Sequence, residues 1–203
     1  MRVAIVVFPG SNCDRDIFEA IKYISKKIPK YIWHKETNIE NFDLILIPGG
    51  FTFGDYLRCG ALASKSPVIK SIRDHASRGG AILGICNGFQ ILTETKLLPG
   101  TLIRNNVLKF LCHDLNVIVQ DTLPSPFTWG FKPNTKLNIP IAHNEGNYYI
   151  NDNELKKLKF KGQIAFKYEE KFNPNGSVEN IAGVLSENGR ILGMMPHPER
   201  SVF

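Results

Sequence analysis

The segment AILGICNGFQILTE, Ala81 to Glu94, changes character at a single cysteine. Ala81 to Ile85 is an unbroken apolar run, as expected of a strand buried on both faces, and Asn87 to Glu94 reads as a helix. A buried strand that turns at once into a helix is the unit of a doubly wound α/β sheet. The junction Gly84-Ile85-Cys86-Asn87-Gly88 is the cysteine form of the G-x-S-x-G elbow, whose small flanking residues permit a strained turn that lifts a nucleophile above the sheet. At the head of a helix, Cys86 faces the positive end of the macrodipole, which favours a thiolate. In isolation the motif fits an ordinary buried cysteine equally well.

Outward from this junction, strand-like and helical runs alternate. Arg2 to Val7 predicts a first strand and Asp14 to Ile28 a helix, with Ile17, Ile21, Ile24 and Ile28 lining one face. Asp43 to Ile47 predicts a strand closed by Pro48-Gly49-Gly50. Ser66 and Pro67 open a helix as N-cap and first-turn proline, Val68, Ile69, Ile72 and Ala76 form its apolar stripe, and Gly79 ends it. Beyond Gly100 the pattern is richer in β, through Asn116 to Val119, Ile139 to His143 and Gln163 to Tyr168. Ile181 to Leu185 and Arg190 to Met195 flank Asn188-Gly189, a hairpin signal. The expected architecture is α/β: an open, doubly wound, mostly parallel sheet with helices on both faces and a small antiparallel β portion. With 203 residues, 43% hydrophobic and 22% charged, the chain suits one domain spanning 1–203.

The amino-terminal apolar run is too short before Pro9 and Gly10 for a signal peptide or a membrane span, so a cytoplasmic protein is expected. Cys13, Cys59, Cys86 and Cys112 occur singly, without histidines at metal-ligand spacing. Structural zinc, a disulfide framework and any metal site are therefore not expected. The net charge of +6 and the pI near 9.1 raise the question of nucleic acid. The lysines, however, are spread over amphipathic stretches such as Lys22 to Lys30 and Lys156 to Lys161, without interleaved aromatics, and read as solvated faces.

A nucleophile needs a base, and the base needs an orienting group. His197-Pro198-Glu199 supplies both: prolines on either side of His197 favour extended backbone, in which residues i and i+2 point the same way, so Glu199 can hold the imidazole. The Pro48-Gly49-Gly50-Phe51 turn follows a strand at the end where open α/β sheets carry their sites. Its backbone N–H groups, Gly50 and Phe51, together with that of Asn87, are candidates for an oxyanion hole.

GGFTFGDYLRCGALA (Gly49 to Ala63), GICNGFQIL (Gly84 to Leu92) and MPHPERS (Met195 to Ser201) resemble the class I glutamine amidotransferases. FPGSNCDRD (Phe8 to Asp16), LPGTLIRNNVLKFLCHD (Leu98 to Asp114) and AHNEGNYY (Ala142 to Tyr149) narrow the resemblance to the glutaminase subunits of phosphoribosylformylglycinamidine synthase, over nearly the whole chain. The resemblance implies a flavodoxin-like layered fold and hydrolysis of L-glutamine to glutamate and ammonia through a thioester on Cys86. His197 would move protons, Glu199 would orient it, and Gln90 matches the position that helps hold glutamine. Ammonia would pass to a large synthetase subunit that binds ATP and magnesium and makes formylglycinamidine ribonucleotide in purine synthesis, with a small accessory subunit completing the assembly. No cofactor is implied in this chain, and it lacks a P-loop or kinase-type nucleotide motif.

Asn147 stands where the family often has arginine, and four residues follow Glu199 where relatives continue further. His143 and Glu145 fit the site, the partner surface or a structural role, and Cys13 lies in a loop that can approach the site. Two other classes remain: a stand-alone cysteine hydrolase or stress protein of the same superfamily, and a non-catalytic regulatory subunit. Asn87, standing where many of the former place a histidine, weighs against the first. Retention of Cys86, His197 and Glu199 together weighs against the second.

Overall fold

The computed structural model describes residues 1–202. Val3–Val7 (β1) leads through Asp14–Ser25 (α1), Lys30–Trp33 (β2), Leu44–Ile47 (β3) and Val68–Ser77 (α2) to Ala81–Ile85 (β4) and Asn87–Glu94 (α3). Thr101–Ile103 (β5), Leu111–Val119 (β6), Lys136–His143 (β7) and Asn147–Tyr149 (β8) follow. Asp152–Phe160 (α4), Ile164–Tyr168 (β9), Ile181–Leu185 (β10) and Ile191–Met194 (β11) come last. The main sheet has the order β2-β1-β3-β4-β11-β10-β9-β6-β7, and β5 pairs with β8 separately. It is parallel from β2 to β11 and antiparallel from β11 to β7.

β1 connects outward to β2 through α1, whereas β3 connects in the opposite direction to β4 through α2. Such crossovers are right-handed, so α1 and α2 cover opposite faces. All the parallel strands end at one edge, so the segments after β1, β3, β4 and β11 converge there, beside the β1/β3 switch point. A bridge between Ser11 and Gly50 ties the first two of these segments together.

The antiparallel half curls back over that edge. Although β7 lies four places from β11 in the sheet, Pro140 O accepts the His197 N–H at 2.8 Å and Asn138 O accepts the Ser201 hydroxyl at 3.4 Å. The β10–β11 hairpin forms as expected, with Gly189 at φ +67°.

Several boundaries differ from expectation. α1 stops at Ser25, where Lys26 turns left-handed, and its buried face is Ile17 and Ala20. Ile24 and Ile28 are 65% and 79% exposed, because the helix ends before a fourth turn can press them against the sheet. Ser66 stands extended before Pro67 and its carbonyl accepts the Ile69 N–H at 3.1 Å, but its side chain does not cap α2: the hydroxyl shares a 3.1 Å hydrogen bond with His34 Nδ1. The edge strand β2 and helix α4 were not anticipated. In α4 the signal was present, since Asn151 caps the helix by accepting the Glu154 N–H at 3.0 Å. Among the described residues, no helix is long and apolar enough to cross a membrane.

Candidate active site

Cys86 occupies the one-residue step between β4 and α3 with φ +51° and ψ −106°, a conformation L-residues rarely adopt. Its N–H is donated to Met194 O at 2.8 Å, and its thiol donates to Ala142 O at 3.5 Å, so β11 and β7 hold it from two sides. The elbow requires α3 to press directly on β3. A Cβ on Gly88 would collide with the Ile47 carbonyl oxygen, so only glycine fits there.

Across from Cys86, His197 Nδ1 lies 2.7 Å from Glu199 Oε1, with both side chains buried. The pairing arises differently from the expectation of an extended segment. The chain turns into a 3₁₀ helix at Pro198–Ser201, which folds Glu199 back under the ring. Gly49 shows how closely the groups meet: a Cβ there would stand 2.7 Å from His197 Cε1, 3.2 Å from Cys13 Sγ and 3.4 Å from Cys86 Cβ. Burial alone would push the His197 imidazole down, but Cys86, Cys13 and Glu199 outweigh it and raise it well above its ordinary value. The two sulfurs polarise the ring without aligning on it: Nε2 is buried with no hydrogen-bond partner among the described residues.

Of the three candidate oxyanion donors, Phe51 is corrected by its backbone. Its N–H is donated to Gly10 O at 3.0 Å, as the Ser11–Gly50 bridge demands, and is not free for substrate. The N–H groups of Gly50 and Asn87 have no acceptor among the described residues. The Phe51 side chain still forms part of the pocket wall. The Asn87 carboxamide is committed, accepting from Thr52 N at 3.2 Å and donating to Gln90 Oε1 at 2.7 Å. Gln90 in turn donates to Glu145 O at 2.7 Å, so it braces the pocket wall between α3 and the β7–β8 loop.

The pocket in front of Cys86 has a volume of about 330 Å³. Gly50, Phe51 and Gln90 form one wall and Ala142 to Glu145 the other, with Asp55, Leu57, Cys59 and Arg104 at the mouth. Asp55, Cys59, Arg104 and the Ala142 carbonyl were not singled out from the sequence. Asp55 follows two left-handed residues in the Gly49 to Ala63 stretch, a local signal that something is being held in place. Burial raises the Asp55 carboxyl, the Cys59 thiol opposes this, and Glu145 adds to it. Among the described residues Asp55 Oδ1 has no hydrogen-bond partner, and Glu145 accepts the Cys59 N–H at 3.4 Å. Burial and these two carboxylates push the Cys59 thiol up, keeping it protonated.

Behind the pocket, His143 is a satisfied structural histidine, 3.2 Å from Asn105 Oδ1 and 3.5 Å from Asn175 Nδ2. Burial, followed by the charge of His197, pushes it down to about 3. Asn105 also binds His143 O, Lys109 O and the Gly146 N–H, and Asn175 binds Gly146 O. Among the described residues the rings of His34 and His75 have only structural hydrogen-bond partners, the Ser66 hydroxyl and the Ala81 carbonyl.

Known proteins resemble this chain over nearly its whole length. Residues 1–203 match the CobB/CobQ-like glutamine amidotransferase domain. The phosphoribosylformylglycinamidine synthase subunits PurQ of Roseobacter denitrificans and of a Ruegeria species are each 52% identical over 202 residues, covering 99% of this chain and 89% of theirs. The structure of PurLQS from Thermotoga maritima includes a chain that superposes with a TM-score of 0.89 at 43% identity, covering 100% of this chain and 89% of that one. A glutamine amidotransferase of Thermotoga maritima shares the fold at a TM-score of 0.61 and 18% identity, over 98% of this chain and 76% of its own. The chain therefore belongs to the CobB/CobQ-like glutamine amidotransferases, and within them to the PurQ family.

Proposed function

We propose that this chain is the glutaminase subunit of a phosphoribosylformylglycinamidine synthase and that residues 1–203 act as one amidotransferase domain. The strained Cys86 set against the buried His197–Glu199 pair carries the reading. Cys86 Sγ attacks the side-chain amide carbon of L-glutamine, and the N–H groups of Gly50 and Asn87 receive the oxyanion. His197, held by Glu199, gives its proton to the departing nitrogen, so the C–N bond breaks, ammonia leaves and a γ-glutamyl thioester remains. Water then attacks the thioester while His197 takes its proton, releasing glutamate and restoring the thiol. The raised imidazole and the facing sulfur suit a thiolate–imidazolium pair.

At the mouth, the two carboxylates of Asp55 and Glu145 call for a cation, which the α-ammonium of glutamine supplies, while Arg104 suits its α-carboxylate. Gln90 holds the wall against which the substrate lies. The ammonia goes to a large synthetase subunit, which binds ATP and magnesium, in a cytoplasmic assembly with a small accessory subunit. The PurLQS relative supports the assembly itself; ATP and magnesium on the synthetase and the cytoplasmic setting belong to the proposal.

The test is glutamine-dependent ammonia release by wild type and Cys86→Ala, alone and with the synthetase, ATP, magnesium and formylglycinamide ribonucleotide. Release that depends on Cys86, with a glutamyl adduct on Cys86 caught by mass spectrometry, is the expected result. Unchanged release in Cys86→Ala would sink the proposal.

A further inference from the structure

One group of buried side chains has more donor atoms than the glutaminase reaction uses. Cys13, just before α1, sits against His197 on the side of Gly49. Its Sγ, a ring nitrogen of His197 and a carboxylate oxygen of Glu199 all lie within 4.8 Å of one another. The three residues are only 3%, 1% and 5% exposed, and Glu199 Oε2 has no hydrogen-bond partner among the described residues; the ring nitrogen facing Glu199 is Nδ1, 2.7 Å from Oε1, so an ion would replace that hydrogen bond. Buried sulfur, nitrogen and oxygen lone pairs converging in this way form the donor set of a tetrahedral borderline-soft divalent ion. Zinc binds sulfur at about 2.3 Å and nitrogen or oxygen at about 2.0–2.2 Å, so closing on an ion needs side-chain shifts on the order of 1 Å.

The charges also suit a cation. A Cys13 thiolate and the Glu199 carboxylate neutralise a divalent ion, which takes the place of the proton that His197 otherwise carries. Arg200, which donates to Cys13 Sγ at 3.1 Å, is itself paired with Asp16 at 3.2 Å. A donor to a ligating thiolate is the kind of outer support that metal sites use. Asn12 Oδ1, 3.3 Å from Cys13 Sγ, accepts the thiol proton, which metal binding would release.

We infer that Cys13, His197 and Glu199 form a capture site for a zinc-class ion that switches the glutaminase off by occupying the imidazole. The regulatory meaning rests on the role proposed for His197; the binding itself does not. Cys86 is adjacent but is not among the three ligands.

The experiment titrates the intact chain with Cd²⁺ alone, following thiolate-to-metal absorbance, then competes with Zn²⁺, and assays glutaminase in the synthetase complex at matching Zn²⁺ concentrations. One ion per chain is expected, with inhibition that a chelator reverses. Cys13→Ser, and Cys13→Ala beside it, should weaken Cd²⁺ binding by at least about 100-fold and lift the inhibition, read as the ratio of each variant's activity with Zn²⁺ to its own activity without it. Cys86→Ala should keep the Cd²⁺ site. Equal affinity in wild type and both Cys13 variants, loss of the site in Cys86→Ala, or no binding at all would overturn the inference. A Cys86→Ala chain that still released ammonia would overturn the proposed nucleophile and leave the metal result standing.

Discussion

The two halves of the main sheet hold the active site by different means. The parallel half, β2 to β11, positions Cys86 and Gly50 with backbone and apolar contact: a strained elbow, a glycine with no room for a Cβ, and strands such as β3 whose residues Ile45, Leu46 and Ile47 are fully buried. The antiparallel half, β10 to β7, supplies Ala142 and the Glu145 loop, and holds them with buried polar side chains, Asn105, His143 and Asn175. Apolar packing is indifferent to pH, whereas a polar network depends on the protonation of its members. The chemistry is therefore built on the half that conditions change least, and the pocket wall on the half they change most.

The sharpest break between the halves comes at Cys86. Cys86→Ala should lower glutaminase at least about 10⁴-fold, since removing a nucleophile leaves only binding and oxyanion stabilisation. The melting temperature should barely move, because the thiol makes one weak contact to Ala142 O. Cys86→Gly should be equally inactive yet more stable by up to about 1 kcal/mol, as glycine accepts φ +51° without strain. A Gly variant less stable than Ala would show that the elbow is not strained.

Acid should separate the halves next. Folding holds His143 down to about 3, below its ordinary 6.5, because of burial and the charge of His197. Between those values the unfolded chain binds a proton that the folded chain refuses, so stability is full above 6.5 and falls as the pH drops toward 3. His197 is raised and so charged in both states in that window, and adds no slope there. Denaturant unfolding should lose up to a few kcal/mol between pH 6.5 and 3, and His143→Gln should flatten that loss. An unchanged slope in the variant would remove His143 as its source.

Gly88→Ala tests the apolar half alone. A methyl group facing the Ile47 carbonyl oxygen must push α3 off β3, at a cost of about 3 kcal/mol, with activity falling as the elbow shifts. Wild-type stability in this variant would mean that α3 has slack. Asn105→Ala is its counterpart across the sheet, leaving His143 Nδ1 and the Gly146 N–H without a partner. A loss of about 1–3 kcal/mol is expected. KM should rise more than kcat falls, because the residue acts on the wall and not on the thiol.

The same division explains what could be read from the residues. β3, β4, α3 and the β10–β11 hairpin are local patterns, and their positions matched closely; Cys86, His197 and Glu199 stood out because reactive residue types sat at turns. The curl that brings Pro140 and Ala142 over the site comes from pairings across distant strands, and no local pattern in β6 or β7 announces it. Asn105 and Asn175 look like loop asparagines in the sequence and become buried joints only through that curl. The fate of the Phe51 N–H was hidden for a related reason, since its acceptor, Gly10 O, belongs to another loop. The isoleucine spacing in α1 promised a longer buried stripe than the sheet can cover.

The smallest expected effect lies at the pocket mouth, on the side of the parallel half. Arg58 spans from the mouth segment to the end of α3 with two bonds to Glu94, at 2.6 and 2.7 Å. The Arg58 side chain is 58% exposed, so water and salt screen the pair and Arg58→Ala should cost at most about 1 kcal/mol, less in high salt. Its larger consequence should be kinetic. Arg58 adjoins Cys59 and the Asp55 carboxylate, so loosening it lets the proposed ammonium site wander, and KM for glutamine should rise several-fold while kcat holds. Arg58→Lys keeps the charge but loses the two-point grip, and should resemble Arg58→Ala if geometry is what matters. If Lys restored KM fully, charge at the mouth, and not the brace between the mouth segment and α3, would be the operative property.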